Sequence, residues 1–60
     1  MRFRSVVTFE RDNGEPVVVR GEIVESDADT AARKAVFRAL PEAGRTKWDS
    51  VVIVLDRINQ

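Results

Sequence analysis

Polar and apolar residues alternate from Arg2 to Glu10. Phe3, Ser5, Val7 and Phe9 fall on one side, and Arg2, Arg4, Val6, Thr8 and Glu10 on the other. That two-residue period predicts a half-buried strand. Asp12-Asn13-Gly14 follows and signals a hairpin. Two loop lengths compete. A two-residue Asn-Gly turn sets Phe9 opposite Val18 and Val7 opposite Arg20. A three-residue loop, with Gly14 left-handed in a bulge, pairs Phe9 with Val17, Val7 with Val19, Ser5 with Gly21 and Phe3 with Ile23. Only the second register collects the apolar residues on one side, because a one-residue slip reverses every side chain. It also sets Arg4 opposite Glu22 on the outer face. The three-residue loop is therefore expected. Pro16 opens the second strand and cannot donate a ladder hydrogen bond, which suits a sheet edge.

The period changes at Asp27. In Asp27–Leu40, DADTAARKAVFRAL, small or aliphatic residues occupy 28, 31, 32, 35, 36, 39 and 40, the spacing of one helix face. Ser26 or Asp27 can cap the first turn, Asp29 adds negative charge there, and Pro41 follows the last turn. Five of the seven face positions are alanine, so the helix must lie close against what it covers. Ser5 and Gly21 leave the matching gap on the sheet, where Ala28, Ala32 and Ala35 are expected to settle. After a connection over Pro41–Lys47, a third strand, Asp49–Arg57, places Val51, Ile53 and Leu55 toward the helix and Val52, Val54 and Asp56 outward. A right-handed crossover brings this strand beside the first. The predicted fold is one α+β domain over residues 1–60. It is a ββαβ chain whose three-stranded antiparallel sheet has the order 2-1-3, with one helix on one face.

Length sharpens this picture. A chain of 60 residues buries only about 60% of its unfolded surface. It has no cysteine and no histidine, so disulfides and the usual zinc sites are excluded. Self-association is the remaining source of added stability. Ten basic and ten acidic residues cancel, which gives no general pull toward nucleic acid or membrane. The charges are nevertheless segregated. Residues 10–29 hold seven acids against two arginines, whereas 30–48 carry Arg33, Lys34, Arg38, Arg45 and Lys47 against Glu42 alone. Helix-dipole complementarity accounts for this segregation, and a functional basic patch is the alternative. No apolar run approaches the roughly 20 residues of a membrane span, and the alternating N-terminus is unlike a signal peptide. A cytoplasmic protein is expected.

Catalytic chemistry has little to work with. His, Cys and Tyr are absent, and the remaining serines, threonines, lysines and carboxylates form no catalytic spacing. Asp12-Asn13-Gly14-Glu15 is too short for a calcium loop, and Gly14, Gly21 and Gly44 are isolated rather than grouped into a phosphate loop. No enzyme activity, cofactor or metal is expected.

Three features point to binding. Val6, Val52 and Val54 lie on the outer sheet face, which one helix leaves uncovered, and a strand regular back to Trp48 adds the tryptophan to them. An apolar patch around a tryptophan is a surface that associates, although β-branched residues also favour exposed strand positions for their own sake. Phe37 lies opposite the alanine face among Arg33, Lys34 and Arg38. It is either an exposed anchor for a partner or a boundary residue covered by the 41–47 segment. Nucleic acid is the third possibility. RNA-binding sheets carry aromatics on the open face, whereas Phe3 and Phe9 are expected on the helix side.

The order hairpin, alanine-rich helix, final strand, with Ser26, Asp27 and Ala32 forming S-D-x-x-x-x-A at the helix start, resembles the phage-encoded inhibitors of bacterial RNA polymerase. It is similar, more distantly, to an archaeal ribosomal protein of the LX type. The resemblance implies the ββαβ fold and docking on a larger host assembly. In the phage proteins, arginines of the last strand touch the polymerase. Arg57, beside Asp56, is the matching position here. The expectation is a non-enzymatic interaction protein, homodimeric through the open sheet face or a sheet edge.

Overall fold

The computed structural model describes residues 1–44 and 47–58. The chain forms β1 (Arg2–Glu10), β2 (Val17–Val24), α1 (Ala28–Ala43) and β3 (Ser50–Ile58). The strands make one antiparallel sheet in the order β2-β1-β3. The predicted register holds throughout: Phe9 faces Val17, Val7 faces Val19, Ser5 faces Gly21, Phe3 faces Ile23 and Arg4 faces Glu22. Burial selects it, because Phe3, Val7, Phe9 and Ile23 are all core residues. Beyond the last β1–β2 pair, the Met1 ammonium donates to the Glu25 carbonyl and the Glu25 N–H to the Met1 carbonyl.

The hairpin tip differs from expectation. Pairing with β2 stops at Phe9–Val17, and Gly14 does not take a left-handed conformation. Pro16 has no N–H with which to carry the ladder further. The tip is held from the side instead, as the Asp49 carboxylate accepts the Asp12 N–H at 2.6 Å. The loop is thus wide and fastened to the approach of β3.

Helix α1 begins where predicted. Asp27 is extended, and its carboxylate accepts the Thr30 N–H at 2.7 Å, which satisfies one of the free donors of the first turn. The end is later than predicted. Pro41 lies inside the helix, which continues to Ala43 and closes when the Gly44 N–H donates to the Leu40 carbonyl at 3.1 Å. Gly44 has φ 90° and ψ 174°, a conformation open essentially to glycine alone. It stops the helix where proline did not. The predicted connection over 41–47 shortens accordingly, and Arg45 and Thr46 lie outside the described residues. The dipole account of the charges also changes: Asp29 occupies the first turn, but the last turn holds no basic residue.

Alanines 31, 35, 39 and 43 form the buried stripe of the helix, one residue per turn. Ser5 is buried and donates its hydroxyl to the Gly21 carbonyl at 3.2 Å, but Gly21 stays exposed and shares an open notch with Ala35, so the helix does not close over the Ser5–Gly21 pair as expected. Ala32 is half-buried and Ala28 exposed. The helix packs over β2 and β1 more than over β3. On the β2 side Arg38 and Glu42 frame a notch of about 90 Å³ whose floor is Gly21. On the other flank Ala32, Val36 and Leu40 lean toward β3, by the 100° turn per residue. This offset leaves β3 poorly covered. The Cα radius of gyration is 11.9 Å, against about 10 Å for a compact chain of this length. The accessible surface is 4532 Å², against about 4,000 Å² for a monomer of this mass. The molecule is elongated, 40 × 16 × 15 Å, with surplus surface.

Candidate functional site

Strand β3 carries Val51, Val52, Ile53, Val54 and Leu55 in succession. Its register with β1 sets Val51 opposite Phe9, Ile53 opposite Val7 and Leu55 opposite Ser5, so these three share the helix side of the sheet, as the alternation predicts. Cover does not follow. Val51 is 41% exposed and Ile53 37%, against 45% for Val52 and 50% for Val54 on the outer side. Of the inward set, Leu55 alone is exposed by less than Ile53's 37% and is packed, partly buried, against the core. An edge strand is therefore apolar and exposed on both faces.

On the outer face, Val6 lies between Arg20 and Val54, and Thr8 between Val18 and Val52. The next row sets Arg4 between Glu22 and Asp56. The valines form a small apolar field bounded by a row of alternating charge. No other element covers it among the described residues.

Trp48 does not join that field. The chain bends at Asp49 before β3 begins, and the Asp49 N–H donates to the Glu10 carbonyl at 2.8 Å. The bend swings Trp48 to the helix side, where its ring lies 5.5 Å from that of Phe9 at an interplanar angle of 49°. The Arg11 guanidinium lies 5.0 Å from the Trp48 ring centroid. Neither Arg11 Nε nor Trp48 Nε1 has a hydrogen-bond partner among the described residues, so the contact is one of packing and cation–π attraction. Trp48 closes one end of the core. Its placement on the outer sheet face, expected from a regular strand, is corrected by this bend.

The helix surface separates the four residues grouped there by sequence. Phe37 is 76% exposed and is not covered by the described part of the 41–47 segment. Arg33 pairs with Asp29 one turn earlier at 3.3 Å, both fully in solvent, a contact of little energetic weight. Lys34 Nζ donates to the Glu25 carboxylate at 2.5 Å, which ties the helix to the end of β2. This bond holds the Glu25 carboxyl below its ordinary range, and the Thr30 N–H does the same for Asp27. Arg38 turns toward the notch above Gly21. Two of the three cations are therefore engaged by nearby acids, and Phe37 stands out as a lone exposed aromatic.

Among the described residues, no group of three or more His, Cys, Asp or Glu side chains is placed to hold a metal ion, and no helix is long and apolar enough to cross a membrane. No family model, curated protein or solved structure matches the chain.

Proposed function

We propose that this chain is a small, non-enzymatic, cytoplasmic interaction module that associates with itself through its sheet. The observation that carries the reading is the exposure of β3 on both faces, 37–50% for Val51, Val52, Ile53 and Val54. Surplus surface and the lack of any disulfide argue the same way, since small domains need some added source of stability. Sedimentation equilibrium of the native chain and of a Val52→Glu, Val54→Glu variant tests it. A native dimer converted to a monomer by the two glutamates is the expected result. A native chain that remains monomeric at tens of micromolar sinks the reading.

Phe37 favours a second reading, in which the chain docks on a larger assembly, such as a phage-type regulator does on its host's machinery. An aromatic 76% exposed beside Arg33, Lys34 and Arg38 suits a pocket on a partner. A pull-down that loses its partner with Phe37→Ala but keeps it with Val52→Glu supports this second reading, and the converse pattern supports the first. Nucleic-acid binding draws less support. Phe3 and Phe9 are buried beneath the helix and Trp48 is packed on Phe9, which leaves the sheet without a stacking platform.

A further inference from the structure

We propose that the self-association runs along the free edge of β3: a second copy pairs with it antiparallel, about a two-fold axis through Ile53, to give a continuous six-stranded sheet. The inference rests on the self-association reading and adds to it the partner strand and the register.

Three arguments select the edge. First, β3 is apolar on both faces, and a copy stacked on either face would shield one row only. A strand added at the edge places a new neighbour beside each side chain on both faces. Second, β3 lacks the usual devices that discourage such pairing. Its nine residues, SVVIVLDRI, contain no proline, glycine or lysine. A long apolar edge of this kind is a ready template for another strand.

Third, the sequence of β3 is complementary to itself in one register. With Ile53 opposite Ile53 of the second copy, Val52 meets Val54, Val51 meets Leu55 and Ser50 meets Asp56. Every apolar residue from 51 to 55 then faces an apolar residue. Asp56 faces the Ser50 hydroxyl, which can donate to its carboxylate, Arg57 is left at the open end of the joined strands, and symmetry repeats each pair. Centring on Val54 sets Arg57 against Val51 and Asp56 against Val52. Centring on Val52 sets Ser50 against Val54 and leaves Leu55 with no partner from the second strand. An axis between Val52 and Ile53 sets Ser50 against Leu55, and one between Ile53 and Val54 sets Val51 against Asp56. The Ile53 register also keeps inward residues beside inward residues, so both helices lie on one face of the joined sheet.

The absence of native cysteine makes the register directly readable. Cysteines placed on the full chain link only where their Cα atoms approach within about 7 Å. Each variant is first sedimented under reducing conditions beside the native chain, then oxidised mildly and resolved without reductant. Ile53→Cys is expected to link to itself in most molecules. Val52→Cys alone and Val54→Cys alone should stay unlinked, whereas their mixture should give the crossed dimer. The mixture also provides the readout should Ile53→Cys disturb the fold. A native dimer in which Val52→Cys or Val54→Cys links to itself, or in which neither Ile53→Cys nor the mixture links, overturns edge pairing and leaves self-association standing. A native monomer overturns both.

Discussion

The Arg11 guanidinium lies 5.0 Å from the centroid of the Trp48 ring, although the two residues come from opposite ends of the chain and neither belongs to a strand. Trp48 rests on Phe9, which is fully buried, so Arg11 and Trp48 together cap the hairpin end of the core. Trp48→Ala is expected to cost about 2–4 kcal/mol, near the low end of large-to-small core substitutions because the ring is only half-buried. Arg11→Ala should cost about 0.5–1 kcal/mol. A domain of this length holds only about 3–9 kcal/mol in all, so the tryptophan variant should unfold at far lower urea. Equal midpoints for Trp48→Ala and the native chain would show that the ring closes nothing.

The glycines at 21 and 44 should respond in opposite directions. A Cβ at Gly21 would sit 3.5 Å from Ser5 Oγ, an ordinary contact, and would begin to fill the notch. Gly21→Ala is expected to stabilise by about 0.5–1 kcal/mol through the loss of unfolded-state freedom. Gly44 has φ 90°, and Gly44→Ala should destabilise by about 1–2 kcal/mol. Thermal midpoints that move the same way for both variants would contradict these placements.

The helix tolerates bulk where it overhangs and rejects it where it touches. Ala31 is fully buried and lies away from the notch, whereas Ala28 is exposed. Ala31→Leu should cost about 1–3 kcal/mol by overpacking, and Ala28→Leu about 0.5 kcal/mol or less. Urea unfolding of the pair checks the phase of the helix.

Mild acid should loosen the start of the helix. The Lys34 ammonium lowers the Glu25 pKa, and the Thr30 N–H lowers that of Asp27. A carboxyl lowered on folding contributes stability that is present above its unfolded-state value. That contribution is lost as pH falls through the folded-state value. Stability should therefore hold near neutrality and decline below about pH 4. Asp27→Asn and Lys34→Met should each flatten that decline, as read from thermal midpoints over a pH series. An unchanged slope in both would remove these contacts from the acid response.

Phe37 carries no fold-stabilising role at 76% exposure. Phe37→Ser should leave stability within about 0.5 kcal/mol while raising solubility. A large loss of stability would place Phe37 in the core rather than on a contact surface.

Much of the architecture was legible in the linear chain because strands obey a strict alternation. Phe3, Val7 and Phe9 can share a face with Val17, Val19 and Ile23 in only one register. Local pattern therefore determined the hairpin pairing, the sheet order and the inward set of β3. Contacts between distant segments decided the rest. The bend at Asp49 took Trp48 off the outer face, whereas the late end of the helix is local, set where the Gly44 N–H donates to the Leu40 carbonyl. Most consequentially, the helix settled over β1 and β2. Periodicity states which way Val51 and Ile53 point, but only the lateral position of α1 determines that nothing sufficient lies above them.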